Sequence, residues 1–250
     1  MDAYQRAAHW QPAILTIAPF TVTAVVWGAA AAKLLMAAAT AVITAPLLVV
    51  LMQFGRSRGR AVQRRMVDRL GALPSALALR HGDRHHPSAL TERYHAALRR
   101  HGFVMPASDE EAAAPAAADD VYRAVVAWLP EQMRDAKKFS LLHSENRSYG
   151  FRRNLLGLKP LALAITVLSL AADGVLTYFV RGDEGHLIVG ALLGALIASW
   201  LGFLTFAVRE SFVEDASWAY ADRQLAGIEA LPVKRPVGRK KAGQASCQHP

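Results

Sequence analysis

Apolar and polar positions are segregated into long blocks along this chain. One apolar block runs from Ala13 to Phe54 with Lys33 as its only charge, and a second from Pro160 to Val208 is interrupted by Arg181-Gly182-Asp183-Glu184-Gly185-His186. About 20 apolar residues in a helix rising about 1.5 Å per residue cross a hydrocarbon core. Each block is therefore long enough for two crossings. The spacing predicts helices over 13–31 and 34–54, joined by a short turn at Lys33, and over 161–180 and 187–208. Pro19 and Pro46 fall inside the first pair, with Thr40 and Thr44 available to bond the carbonyls that Pro46 frees. The predicted fold is an all-α membrane protein: two transmembrane hairpins, 13–54 and 160–208, flank a helical cytoplasmic region over 55–159. Residues 1–12 precede them, and residues 209–250 follow as a polar helix and a disordered basic tail.

Within 55–159 the periodicity is amphipathic. Val62, Met66, Val67 and Leu70 alternate with basic residues as one helix. Ser88 reads as the N-cap of a helix over 89–101 that stops at Gly102, with Leu90, Tyr94, Ala97 and Leu98 on one face. Pro106 to Asp119, rich in proline, alanine and acid, reads as a loop or linker. Helical periodicity returns over 122–142 through Val125, Val126 and Leu129, with Pro130 kinking or ending it.

Charge fixes the orientation. The net charge is +9, and of 29 Lys and Arg, 19 lie between Phe54 and Pro160 and seven from Arg209 onward. Cytoplasmic segments carry the Lys and Arg excess, so the centre and both termini are expected inside a bacterial inner membrane. A signal peptide ending near Gly28-Ala29-Ala30-Ala31 is the competing reading, with only Arg6 as its positive region. In this setting the basic residues are expected to meet lipid headgroups rather than nucleic acid. A single Cys247 excludes a disulfide framework.

Four groups of residues carry candidate chemistry. Asp173 sits within the third span, where a carboxylate needs a partner, a cavity or the interface; it is the ion-path candidate, with Arg181 as the alternative salt-bridge partner. Gly190, Gly194, Ala198 and Gly202 recur every four residues as a helix-packing stripe, and homo-oligomerisation through it is expected. Arg80, Arg84, Arg93, Asn146, Tyr149, Arg152 and Arg153 are candidates for binding an anion, a lipid headgroup or a nucleotide, those near Arg152 at an elbow before the membrane. His81, Asp83 and His85 are weak metal candidates, set against neighbouring arginines and the lack of a His-x3-His pair on a helix. No metal or cofactor is expected. No phosphate loop, nucleophile elbow or His-Glu-x-x-His motif is present.

The run Glu145-Asn146-Arg147-Ser148-Tyr149-Gly150-Phe151-Arg152-Arg153-Asn154-Leu155-Leu156-Gly157-Leu158-Lys159-Pro160, with Leu79-Arg80-His81-Gly82-Asp83, Arg93-Tyr94-His95, and Arg134-Asp135 with Phe139, resembles the landmarks of a family of bacterial multi-pass membrane proteins. The resemblance covers about 15–160. It implies paired helices around a cytoplasmic centre and brings no activity with it. His143-Ser144 departs from the pattern, standing where a bulky apolar and an acidic residue are expected. The expected function is structural or signalling, an oligomer whose basic region senses an anionic partner. An ion channel or pore-forming effector with Asp173 on its path is the first alternative. The second is a membrane-bound enzyme acting on lipid or nucleotide, with His81, Asp83 and His95 as its polar cluster.

Overall fold

A computed structural model describes residues 3–28 and 33–232, with the side chains of 33–43 left out. The readings made for Lys33, Thr40, Ala29-Ala30-Ala31 and the basic tail lie outside the described residues or side chains. Every regular element among the described residues is helical. The chain enters through Ala3–Gln5 and a π-helical turn, Arg6–Trp10, into α1 (Gln11–Gly28). Then come α2 (Lys33–Leu70), α3 (Pro74–Leu77), α4 (Ser88–Arg100), α5 (Ser108–Ala113) and α6 (Pro115–Gln132). The series closes with α7 (Ser140–Phe179), α8 (Glu184–Phe206), α9 (Glu210–Ala226) and a 3-10 turn, Gly227–Ala230.

Two helices are far longer than the spacing suggested. Helix α2 runs without a break through Gly55-Arg56-Ser57-Arg58-Gly59-Arg60, and α7 carries the whole Asn146–Pro160 motif into the apolar block. At 38 and 40 residues they extend for roughly 57 and 60 Å. The elbow expected before the third span is therefore absent: Gly150, Gly157 and Pro160 all sit inside one helix. Helix α7 is the hub, packing on α1, α2, α8 and α9.

Three helices among the described residues are long and apolar enough to cross a membrane: Arg6–Gly28, Ser140–Phe179 and Glu184–Phe206. The sequence led us to expect four. The remaining apolar run, 34–54, is the first half of α2. The apolar helices face outward with their largest side chains: Leu168 is 70%, Phe179 77%, Leu192 68% and Phe206 69% exposed. Apolar surface on this scale is what a hydrocarbon solvent requires and what a water-soluble monomer avoids.

The other end of the molecule is built the opposite way. Leu79, Leu98, Tyr122, Val125, Leu129, Met133, Leu225 and Ile228 form a core with almost no exposure. Helices α3, α4 and α6, the start of α7 and the end of α9 therefore fold as one packed unit. Val62 and Met66 bury against Tyr149, Val213 and Ala216, so the basic half of α2 packs on α7 and α9.

Three local readings are corrected. Pro87, not Ser88, holds the N-cap position of α4, its carbonyl accepting from Leu90 and Thr91 N–H at 2.9 and 3.3 Å. The 106–119 segment is mostly helical: alanine has the highest helix propensity, and Pro115 stands at the first position of α6, where its missing N–H costs nothing. Thr44 Oγ1 is buried without a partner, so it does not serve the carbonyl freed by Pro46. Gly102 does stop α4, at φ +92°. The amides of Gly102 and Phe103 bond back to Arg99 and Leu98, the paired closure that a left-handed residue permits.

Candidate functional site

The motif residues form a helix crossing. A Cβ at Gly157 would lie 2.8 Å from the Gly59 nitrogen, and one at Gly150 would lie 2.8 Å from the Ala8 side chain. Only glycine lets α7 approach α2 and the N-terminal turn this closely. Asn154 stands between these two glycines, buried, with its oxygen against Gly59. Its Nδ2 donates to the Ala8 carbonyl at 2.6 Å. In an unbroken α-helix that carbonyl would accept from residue 12. Residue 12 is proline and has no N–H. Pro12 removes the donor four residues on from this carbonyl, the turn here is π-helical, and Asn154 supplies a donor from α7. At the next turn Lys159 Nζ donates to the carbonyls of Thr205 and Val208 at 3.2 and 2.8 Å, capping the end of α8.

From this crossing α7 carries a buried stripe into the apolar region: Asn154, Leu158, Ala162, Thr166, Ser169 and Asp173. Thr166 and Ser169 donate to carbonyls four residues back, at 2.6 and 2.8 Å. Asp173 is 3% exposed, and its Oδ1 accepts from Trp27 Nε1 of α1 at 2.8 Å. On its other side lies Gly194 of α8, where a Cβ would come within 3.0 Å of Asp173 Oδ2. The salt bridge to Arg181 that the spacing allows is not made; Arg181 lies over the Tyr178 ring, 4.1 Å from its centroid. A cavity of about 710 Å³ opens beside this junction, lined by Trp27, Thr23, Leu47, Ser169 and Ala172 among others. The glycine stripe divides here. Gly190 packs on Thr177 and Gly194 on Asp173, whereas Ala198 is exposed and Gly202 has nothing within 4 Å of a built Cβ.

The arginines singled out for anion binding have other partners. Arg80 grips Asp119 with two hydrogen bonds of 2.8 and 2.6 Å, and Arg93 makes a two-pronged contact with Glu229. The Arg93 hydrogen bond holds the Glu229 carboxyl below its ordinary value. Arg152 donates to the Phe212 carbonyl at 3.1 Å, and Arg153 contacts Gln63 and lies over the Tyr149 ring. Asn146 is half-buried, Tyr149 is buried, and Arg84 is exposed on its loop. Arg60 and Arg64, which the sequence reading did not single out, stand on the exposed face of α2 beside a cavity of about 580 Å³ that Arg123 also lines. Their spacing of four residues on a helix was the available signal.

The histidine-rich loop is sorted into two groups. His85 and His86 both meet Asp222 Oδ1, at 2.9 and 3.1 Å, and His85 stacks on Trp218. Asp83 accepts from the His85 amide at 2.7 Å, so His81, Asp83 and His85 are not assembled as one set. His81 turns the other way, toward Glu92 and His95 of α4. Its Nδ1 lies 3.2 Å from Glu92 Oε1, and its Nε2 faces the Pro106 carbonyl at 3.0 Å. His95 is fully buried with Nε2 2.7 Å from the Leu79 carbonyl, and burial lowers its pKa. Tyr122 packs behind it and donates to Glu111 at 2.6 Å; burial, then that bond, raises the Tyr122 pKa.

No known protein family, curated protein or solved structure matches the chain in the comparisons made.

Proposed function

We propose that the chain is a four-span protein of the bacterial inner membrane with both termini cytoplasmic, in which a basic helical unit senses an anionic partner and passes its state to the membrane helices. The fourth span is residues 34–54 of α2. The observation that carries the reading is α7: one helix begins in the packed aqueous core, passes the Asn154 crossing and ends its buried stripe at Asp173. A rigid element with both ends in use can transmit a displacement without a hinge. The partner's place is the cleft beside Arg60 and Arg64, because Arg80, Arg93 and Arg123 already hold the carboxylates of Asp119, Glu229 and Asp120. Phosphate-bearing ligands, a nucleotide or a lipid headgroup, suit paired guanidinium groups.

Binding of a nucleoside triphosphate panel and of anionic phospholipid vesicles to the full chain in detergent tests this. Arg60→Ala with Arg64→Ala should weaken the anion that binds by about tenfold, the scale of one or two charge-assisted hydrogen bonds. Equal binding by both proteins would contradict it.

Asp173 favours a second reading, an ion path through an oligomer. A carboxylate buried among membrane helices is a functional residue by default, and the exposed Ala198 and uncovered Gly202 leave a small-residue face for a second copy. Ion flux from proteoliposomes should fall in Asp173→Asn with protein abundance unchanged. Cross-linked dimers in membranes should be lost in Gly202→Leu. Unaltered flux would remove the ion path, and unaltered cross-linking would remove that interface.

A further inference from the structure

Among the described residues two polar clusters have the donor set of a metal site: His81 with Glu92 and His95, and His85 with His86 and Asp222. They differ in how their ring nitrogens are used. In the second cluster both Nε2 atoms meet the same carboxylate oxygen, and that carboxylate side chain is 45% exposed. Those contacts are made in reach of water; His86 Nδ1 is left buried without a partner, but no two lone pairs are set against each other there.

In the first cluster the hydrogen bonding leaves lone pairs over. A backbone carbonyl can only accept, so Nε2 of His95 must carry a proton to bond Leu79, and Nε2 of His81 must carry one to bond Pro106. A neutral ring protonated at Nε2 presents a bare lone pair at Nδ1. His95 Nδ1 is buried with no partner. His81 Nδ1 faces Glu92 Oε1, so a neutral His81 sets two lone pairs against each other at 3.2 Å. The ligand atoms of His81, Glu92 and His95 all lie within 4.8 Å of one another. One cation at their centre accounts for the orphaned nitrogen and the opposed lone pairs together.

We infer that His81, Glu92 and His95 bind one divalent transition-metal ion per chain. Two imidazoles and a carboxylate are the donor set of zinc, and nickel, cobalt and iron accept it. The ring-to-carbonyl bonds at each Nε2 are the outer support that metal-bound histidines ordinarily have, fixing tautomer and orientation. Glu92 and His95 are three residues apart on α4, a spacing that puts both on one face. The loop from Leu79 to His86 brings His81 over them. The repulsion that arginines exert on a dication is reduced, because Arg80 is neutralised by Asp119 and Arg93 by Glu229, which among the described residues leaves Arg84 and Arg99 as the uncompensated cations nearby. Three protein ligands leave a fourth tetrahedral position. The Glu92 side chain is 55% exposed, so water reaches this ligand set from that side. The site is thus of the open type, able to hold water or an exogenous donor.

The test is titration of Zn²⁺ against a chromophoric chelator, using the full chain in detergent, purified without a histidine tag and stripped of metal. Cys247→Ser and His249→Ala are built into the background so that the tail cannot supply ligands. The expected result is one zinc per chain and a rise in thermal midpoint with zinc. Glu92→Gln, at a half-exposed position that leaves the core intact, should weaken zinc at least tenfold and lose most of that thermal shift. His81→Ala should behave alike, whereas His85→Ala with Asp222→Asn should bind as the parent does. No zinc bound by the parent would overturn the inference. So would equal affinity in Glu92→Gln and His81→Ala, or loss of zinc only when His85 and Asp222 are replaced.

Discussion

The outward-facing apolar helices and the packed unit both bury polar side chains, and the hydrogen bonds of those side chains run in opposite ways. In the apolar helices Thr16, Thr23, Thr166 and Ser169 each donate to a carbonyl four residues back in their own helix. In the packed unit the bonds reach between elements: Arg80 to Asp119, His81 to Pro106, His95 to Leu79, and Tyr122 to Glu111. A hydroxyl bonded within its own helix places no condition on the neighbouring helix. A bond between elements holds both. The packed unit is therefore tied as a block, while the hydroxyl bonds of the apolar helices leave a shift between them opposed by few polar links. Three links among the described residues oppose such a shift, Asn154 to Ala8, Lys159 to Thr205 and Val208, and Trp27 to Asp173, and all involve α7. The same helix leads from the locked block to the loosely tied one, which suits it to transmission.

Four substitutions sharpen or break this contrast. The largest effect is expected at the crossing where the two regions join. Gly157→Leu must push α7 off α2 and should cost about 3 kcal/mol, the upper range for overpacking, lowering the thermal midpoint and the yield of folded chain. A melt like the parent's would mean that the helices do not approach this closely. Next is the locked block itself. Arg80→Ala leaves Asp119 unpaired, and since both side chains are about 30% exposed, solvent screening brings the cost to about 1–2 kcal/mol. In the membrane region Trp27→Phe removes the donor to Asp173 and should cost less, about 1 kcal/mol. Asp173→Asn keeps an acceptor for Trp27, so a smaller loss there than in Trp27→Phe would assign the link to the hydrogen bond and not to the charge.

The smallest effect concerns pH. Burial, reinforced by Tyr4 and Tyr149, pushes Tyr220 up from 10.0 to about 12. The folded state thus favours the neutral phenol. That contribution is complete below pH 10, falls as pH rises from about 10 to about 12, and is constant above. Stability measured across this window should fall less steeply in Tyr220→Phe, and identical slopes would show that Tyr220 is in contact with water.

Hydropathy alone revealed the helical class, the apolar blocks and the polar helix after Arg209, because a helix across lipid needs an uninterrupted apolar run. It could not reveal the continuity of α2 and α7. Charged and glycine-rich turns ordinarily mark a helix end, and here Gly59 and Gly157 serve a close crossing instead. The role of Asn154 was also hidden, because its partner is a carbonyl one turn before the proline at position 12, which stands 142 residues earlier in the chain. Asp173 was legible as a carboxylate in an apolar run, though its partner Trp27 comes from another helix. His81 and His95 were visible individually. Glu92 was hidden because it stands three residues before His95 on α4, while the histidines that share a four-residue spacing, His81 and His85, lie on a loop. Arg80 and Arg93 were legible as cations, but the carboxylates they meet, Asp119 and Glu229, lie 39 and 136 residues along the chain.

The central claim is that the locked block lies inside the cell and that α7 and α8 cross to an outer turn at 181–185. Site-directed labelling with a membrane-impermeant maleimide tests it most directly. In a Cys247→Ser background, cysteines replace Gly182 in the turn and Ala96 on the exposed face of α4. In intact cells Gly182→Cys should label and Ala96→Cys should not, with both labelled once the membrane is opened. Labelling of Ala96→Cys in intact cells, with Gly182→Cys protected, would invert the topology and contradict the account.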